Sequence, residues 1–238
     1  MEDEPAATQR RRALLALLLL VPAPSAGTLA AMVFFPGSAT GQWVFTFSKF
    51  WLFLFPVVWL KLVDRGRFSL SPIRNGGWVA GLVSGVLLSL GIGMAYVMLG
   101  GYFIDGHLFR SKLHEVGLAT VPAYAAGALY WILVNSVLEE YVWRWFVYEK
   151  CAVLVRPLYA VVLSAVFFSI HHFFALRSYF SLLPAVLCTA GVFAGGVVWS
   201  WLYSRYKSIW PGYLSHAVVD LMVFAIGAVL LFGDALSR

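Results

Sequence analysis

Seven apolar runs, at about 13–35, 42–62, 78–103, 122–148, 157–176, 180–204 and 209–233, take up most of this 238-residue chain. Each is long enough to cross a hydrocarbon core of roughly 30 Å as a helix. In lipid a helix satisfies its own backbone hydrogen bonds, so runs of this length leave few other folds open. The expected fold class is therefore all-α, a polytopic transmembrane helical bundle of about seven spans. With 61% hydrophobic and only 12% charged residues the chain lies far outside the soluble range. Trp43, Trp59, Trp78, Trp201 and Trp210 lie near the ends of the runs, as expected of an aromatic belt at the lipid headgroups.

The first run admits a second reading. Arg10, Arg11 and Arg12 followed by an apolar stretch and VPAPSAG also resemble a secretory signal peptide. A retained helix is favoured, because apolar character resumes in LAAMVFF and Pro24 spoils the small-residue cleavage pattern. Orientation agrees. With the N-terminus in the cytoplasm, the inside stretches hold Arg10, Arg11, Arg12, Lys61, Arg65, Arg67, Arg74, Lys150, Arg156, Arg205 and Lys207. The outside stretches hold only Arg110, Lys112, Arg177 and Arg238, which is the bias of the positive-inside rule. The net charge of +6 does not indicate a nucleic-acid partner, since the basic residues are dispersed between apolar runs. Three parts follow: a basic cytoplasmic N-terminus at 1–12, N-terminal spans with an interfacial loop at 13–121, and a helical core at 122–233. Within the loop, GHLFRSKLHEVGLATVP suits a short interfacial helix, with His107 and His114 solvated. Cys151 and Cys188 are too few for a disulfide framework and read as small apolar fillers.

The fourth run ends in LEEYVWRW, three ionisable side chains where each costs about 2.5 to 3.5 kcal/mol at the centre of a membrane helix. Glu140 and Arg144 are four apart, acid before base, and suit an ion pair along one face. Glu139 is rotated by about 100° from that face and has Trp143 as its fourth neighbour, so its partner has to come from another helix. The fifth run carries His171 and His172 in AVFFSIHHFF. In an antiparallel hairpin, residues 139 and 172 are equidistant from a turn at Val155 and Arg156, so Glu139 and His172 can meet. In the seventh run, His216 and Asp220 of HAVVD share a helix face.

These residues resemble the CAAX prenyl protease and bacteriocin-processing family of intramembrane proteases. Glu139, Glu140 and Arg144 match its EExxxR motif; Phe168 and His172 match FxxxH, which Phe167 and His171 also fit one residue earlier; His216 and Asp220 occupy the third motif, where the family has histidine and a polar residue, typically asparagine. The resemblance spans about 120–232. It implies an intramembrane endopeptidase of the glutamic type that cuts a membrane-associated peptide or protein, without a cofactor, in the plasma membrane of a prokaryote. It further implies that Glu139 is the general base, that His172 orients the water, with His171 as the alternative, and that His216 and residue 220 stabilise the oxyanion. Glu140, Arg144 and Phe168 would be structural support. Asp220 departs from the pattern, because an ionised carboxylate accepts hydrogen bonds and repels an oxyanion. Either Asp220 carries a proton, or it sits behind His216 and fixes its tautomer; the second is preferred.

Other readings of the same residues are a zinc site built from the histidines and a glutamate, although HExxH is absent; a structural polar network in a non-catalytic scaffold or immunity-type membrane protein; and an ion path through a transporter. Lys49 is expected to snorkel toward the outer surface, and Gly195 and Gly196 to allow close helix packing. The substrate's identity and the oligomeric state are not encoded in any motif.

Overall fold

The computed structural model describes residues 6–66, 69 and 71–236, the last of these without the side chains of 234–236, and that of residue 74 is likewise undescribed. Arg67, Arg238, the side chain of Arg74 and residues 1–5 of the basic N-terminus thus lie outside the described residues. Among the described residues seven helices are long and apolar enough to cross a membrane: α1 (Ala6–Phe34), α2 (Ala39–Leu62), α3 (Trp78–Phe103), α5 (Val121–Leu154), α6 (Pro157–Arg177), α7 (Leu182–Tyr206) and α8, whose apolar part is Trp210–Gly233. The interfacial segment forms a short helix, α4 (Gly106–Glu115). There is no strand among the described residues.

Local chemistry sets the boundaries. Ser38 caps α2 by accepting from Gly41 N–H at 3.1 Å, Asp105 caps α4 by accepting from His107 N–H at 2.9 Å, and Thr120 caps α5 ahead of Pro122. On α4 Leu113 turns inward while His107 and His114 are exposed, the division expected of an interfacial helix. Two spans outrun their apolar stretches. α5 continues to Leu154 because Lys150 pairs with Asp64 at 2.5 Å and Glu149 with Lys207 at 2.8 Å, so its charged end is satisfied outside the lipid. α1 begins before its arginines, and Ala16, Leu17 and Leu20 join the core while the Trp51 indole donates to Leu19 O at 2.9 Å.

Close helix contacts use small residues, as packing within lipid requires. Gly81 and Gly85 on α3 lie against the backbone of Pro211 and Ser215 on α8, and Ser89 donates to Val218 O at 3.1 Å. Gly196 on α7 faces Ala165 and Phe168 on α6, which bears out the packing role expected of it. The α5–α6 hairpin is antiparallel, fixed by Ser164 donating to Trp143 O at 3.0 Å. Two expectations change. Trp59 is not at a headgroup surface but in the core, 8% exposed, in an aromatic row with Phe55. Cys188 fills no gap; it is exposed on α7, whereas Cys151 is fully buried.

The end of the bundle that carries the α2–α3, α5–α6 and α7–α8 turns is sealed in a way that positions α8. The α7–α8 turn is buried at Ser208 and Ile209. Ile209 N–H donates to Ser71 Oγ at 2.9 Å, the Trp210 indole to Ser71 O at 3.1 Å, and Asn75 to Tyr206 O at 2.8 Å. Gly77, with φ of +87°, lets this loop pass where a Cβ would strike Tyr206 and Pro211. α8 therefore starts inside the protein. His216, only six residues into it, reaches the middle of the bundle.

Candidate active site

α5 brings its charged residues inward by departing from regular helix. Five-residue π-helical backbone at Trp131–Asn135 and a longer π stretch at Tyr141–Tyr148 flank the α-helical turn Ser136–Glu140. Wider turns change which residues share a face, and such insertions often accompany functional sites. Asn135, Ser136, Glu139, Glu140 and Arg144 are all buried as a result.

Glu140 and Arg144 form the expected pair, Nε to Oε2 at 3.5 Å, both side chains fully buried. The guanidinium also lies against two rings, 4.6 Å from the centroid of Phe168 and 5.2 Å from that of Trp199. Glu140 has a second partner that helix spacing does not reveal. Its Oε1 lies 3.1 Å from His216 Nδ1. Gly212, one turn before His216, makes room for the other oxygen, since a Cβ there would run into Glu140 Oε2. Glu140 thus links Arg144 to His216, and the carboxylate behind the His216 ring is Glu140 rather than Asp220.

The opposite nitrogen, His216 Nε2, faces Glu139 Oε2 at 3.7 Å and Asp220 Oδ1 at 3.8 Å, beyond hydrogen-bond length in both cases. Asp220 Oδ2 lies 2.7 Å from the Ser136 hydroxyl, which is also 2.8 Å from Trp131 O. The hydroxyl has one hydrogen for two acceptors. If it donates to Trp131 O, it can accept a proton held by Asp220, so this contact fits either state of the carboxyl.

Glu139, His171 and His172 each offer a ligand atom within 4.8 Å of the other two, so the hairpin does bring Glu139 and His172 together. The Ser164 bond to Trp143 places Phe168 level with Glu139 and His172 one turn farther along α6. Helical side chains lean toward the N-terminus, which on α6 carries the His172 ring back over Phe168 at 4.5 Å. His172 Nδ1 is 2.9 Å from Phe168 O, and a hydrogen donated there leaves Nε2 with its lone pair free. His171 stacks on Trp143 at 5.3 Å and 8°, with no hydrogen-bond partner for its buried Nδ1 among the described residues. Asn135, one turn earlier on α5, is buried as Glu139 is.

Sequence reasoning missed Trp199. Its ring stacks on His216 at 3.9 Å and 15°, and its indole donates to Ser215 Oγ at 3.0 Å, which locks the platform. A lone tryptophan in an apolar run carries no sign of this role; neither do Ser136 and Asn135. Lys49 is half-buried, with its Nζ 5.6 Å from the centroid of the Phe45 ring one turn earlier on α2.

A helical bundle of seven apolar spans, with a buried Glu–His cluster drawn from three of them, belongs as a class with polytopic membrane proteins. Residues 121–222, the stretch that supplies every member of the cluster, match the family model described as type II CAAX prenyl endopeptidase Rce1-like. That stretch, 102 of the 238 residues, is what is similar to this family of membrane proteases. No curated protein and no solved structure matches it.

Proposed function

We propose that the protein is an intramembrane endopeptidase in which Glu139 activates a water against a peptide bond of a membrane-associated substrate. The observation that carries this reading is the convergence of Glu139 with His216 at 3.7 Å and with His171 and His172 in one buried cluster. A water between the Glu139 carboxylate and His172 Nε2 has two acceptors for its hydrogens and turns an oxygen lone pair toward a substrate carbonyl. Glu139 takes one proton as the hydroxide adds to the carbonyl carbon. The negative charge passes to the carbonyl oxygen, where a hydrogen on His216 Nε2 stabilises it. With Nδ1 also donating to Glu140, that ring is the imidazolium, the one form that donates from both nitrogens. Asp220 assists when it carries a proton. Glu139 then hands its proton to the leaving nitrogen as the C–N bond breaks, leaving a carboxylic acid and an amine. Glu140, Arg144, Phe168 and Trp199 hold the His216 and His172 rings in place. The concentration of Arg and Lys at one set of span ends favours an N-terminus in the cytoplasm, with the sealed end of the bundle on that side.

A second reading has one observation of its own. Glu139, His171 and His172 are a possible zinc triad, and the bond from His172 Nδ1 to Phe168 O is the kind that orients a ligating imidazole. The deciding experiment measures cleavage of a library of membrane-tethered peptides in nanodiscs by wild type and Glu139→Gln, each with and without a strong chelator. Cleavage that vanishes with Glu139→Gln and survives chelation supports the activated water. Loss on chelation transfers the mechanism to a metal, and equal cleavage by both proteins removes Glu139 from it.

A further inference from the structure

We infer that the turn between α2 and α3 is a positioning element of the active site, in which the Ser71 hydroxyl fixes how deep α8 starts and so sets the place of His216 in the reaction. The inference rests on the peptidase reading and adds to it a residue that touches neither substrate nor the Glu–His cluster.

The turn grips the same ends of three spans. It holds α5 through Asp64, which pairs with Lys150 at 2.5 Å, α7 through Asn75, which donates to Tyr206 O at 2.8 Å, and α8 through Ser71. These are the spans that carry Glu139, Trp199 and His216. The backbone is unusual where they meet. Among the described residues, those other than glycine with positive φ are Arg65 at +52°, Ser71 at +62° and Lys207 at +48°, all in the α2–α3 and α7–α8 turns. Lys207 ends α7 in the left-handed conformation common at helix C-termini. Ser71 stands before Pro72 and ends no helix. A side chain with a Cβ seldom adopts this conformation, and it persists where the surrounding structure demands it.

What the conformation of Ser71 secures is the start of α8. Ser208 and Ile209 are buried, so the backbone N–H groups there need partners within the protein. Ser71 Oγ accepts from Ile209 N–H at 2.9 Å, and Ser71 O accepts from the Trp210 indole at 3.1 Å. From Ile209 to His216 is seven residues, roughly 10 Å along the axis, so a shift of the helix start is carried to the ring. His216 has little to spare. Its Nδ1 lies 3.1 Å from Glu140 Oε1, and a slide of about half an ångström brings that contact to about 3.6 Å, no longer a hydrogen bond. The same slide moves the ring across the face of Trp199, on which it stacks at 3.9 Å.

The test has one readout that needs no cleavage. Glycine suits a φ of +62° and lacks the hydroxyl, so Ser71→Gly deletes the acceptor while relieving the backbone. Tyr124→Phe is the control, because it deletes a hydrogen bond to Phe224 O farther along the same helix. In nanodiscs, with histidine nitrogens labelled for magnetic resonance, the Nδ1–H signal of His216 is identified by its loss in His216→Gln. It is expected to move or broaden in Ser71→Gly and to stay in place in Tyr124→Phe. On a peptide that wild type cleaves, Ser71→Gly is expected to lower kcat about tenfold to a hundredfold with little change in KM, the scale of a misplacement of about 1 Å. Ser71 and Glu140 act through the same ring, so combining Ser71→Gly with Glu140→Gln is expected to cost well below the product of the two single losses. Asn75→Ala releases α7 from the same turn; it is expected to show these changes in smaller measure, and it decides the matter if Ser71→Gly does not fold. An unmoved His216 signal, an equal movement in Tyr124→Phe, or single losses that simply multiply each overturns the inference. Absence of cleavage by wild type would count against the peptidase reading, and the His216 signal would still decide for or against Ser71.

Discussion

Replacing Arg144 by Met removes the positive member of a fully buried pair while keeping most of the side chain's length. Glu140 stays fully buried, 3.5 Å from where the guanidinium was, with His216 Nδ1 at 3.1 Å as its remaining polar partner among the described residues. Breaking a buried pair by removing one partner typically costs about 3 to 5 kcal/mol, because the other charge is left uncompensated. The lower end, about 3 kcal/mol, applies here, since His216 continues to offer a hydrogen to Glu140. Loss of the guanidinium's contacts with the Phe168 and Trp199 rings adds roughly 1 kcal/mol more. Adding Glu140→Gln should recover part of this loss, as the orphaned charge goes with it, so the two substitutions are far from additive. The assay is reversible unfolding in mixed micelles, followed by tryptophan fluorescence, for wild type, both single variants and the double variant. A change below about 1 kcal/mol for Arg144→Met, or strict additivity in the cycle, would refute the claim that Arg144 neutralises a fully buried Glu140.

Three more outcomes follow from the geometry. Trp199→Leu should lower kcat about tenfold or more with little change in KM, and Trp199→Phe should lose less, because a ring still lies against His216; kinetics on a cleaved peptide, paired with unfolding, check this. Gly212→Ala should destabilise by roughly 1 to 3 kcal/mol and lower cleavage, since the new methyl occupies the place of Glu140 Oε2; unfolding and rate are measured together. Tyr124→Phe removes a hydrogen bond to Phe224 O of 2.7 Å away from the cluster, and should cost about 1 kcal/mol in unfolding while the cleavage rate stays at the wild-type value.

The spans were legible because membrane helices announce themselves by length and hydropathy, and their partners are lipid or one another. The misjudged ends are those where charge continues the helix: Glu149 and Lys150 look like a stop, and only Lys207 and Asp64 on other elements make them part of α5. The approach of Glu139 to His172 was readable because a hairpin needs only counting. The bond from Glu140 to His216 was not, since it depends on how deep α8 begins, and Ser71, in a loop between two other spans, helps to set that. The π-helical turns of α5 are equally hidden, because the residues in them also suit a regular helix. Trp199 escaped notice for a different reason: a tryptophan in a span reads as packing, and what makes it a platform is the ring it meets.

The central claim, that Glu139 is the base and Glu140 its support, is tested most directly by comparing peptide cleavage by wild type, Glu139→Gln and Glu140→Gln in nanodiscs, with unfolding measured on the same samples. The account predicts that Glu139→Gln lowers the rate by about 10² to 10⁴ at near wild-type stability, whereas Glu140→Gln loses stability along with rate. Cleavage by Glu139→Gln at the wild-type rate, from a protein that folds as wild type does, would contradict it.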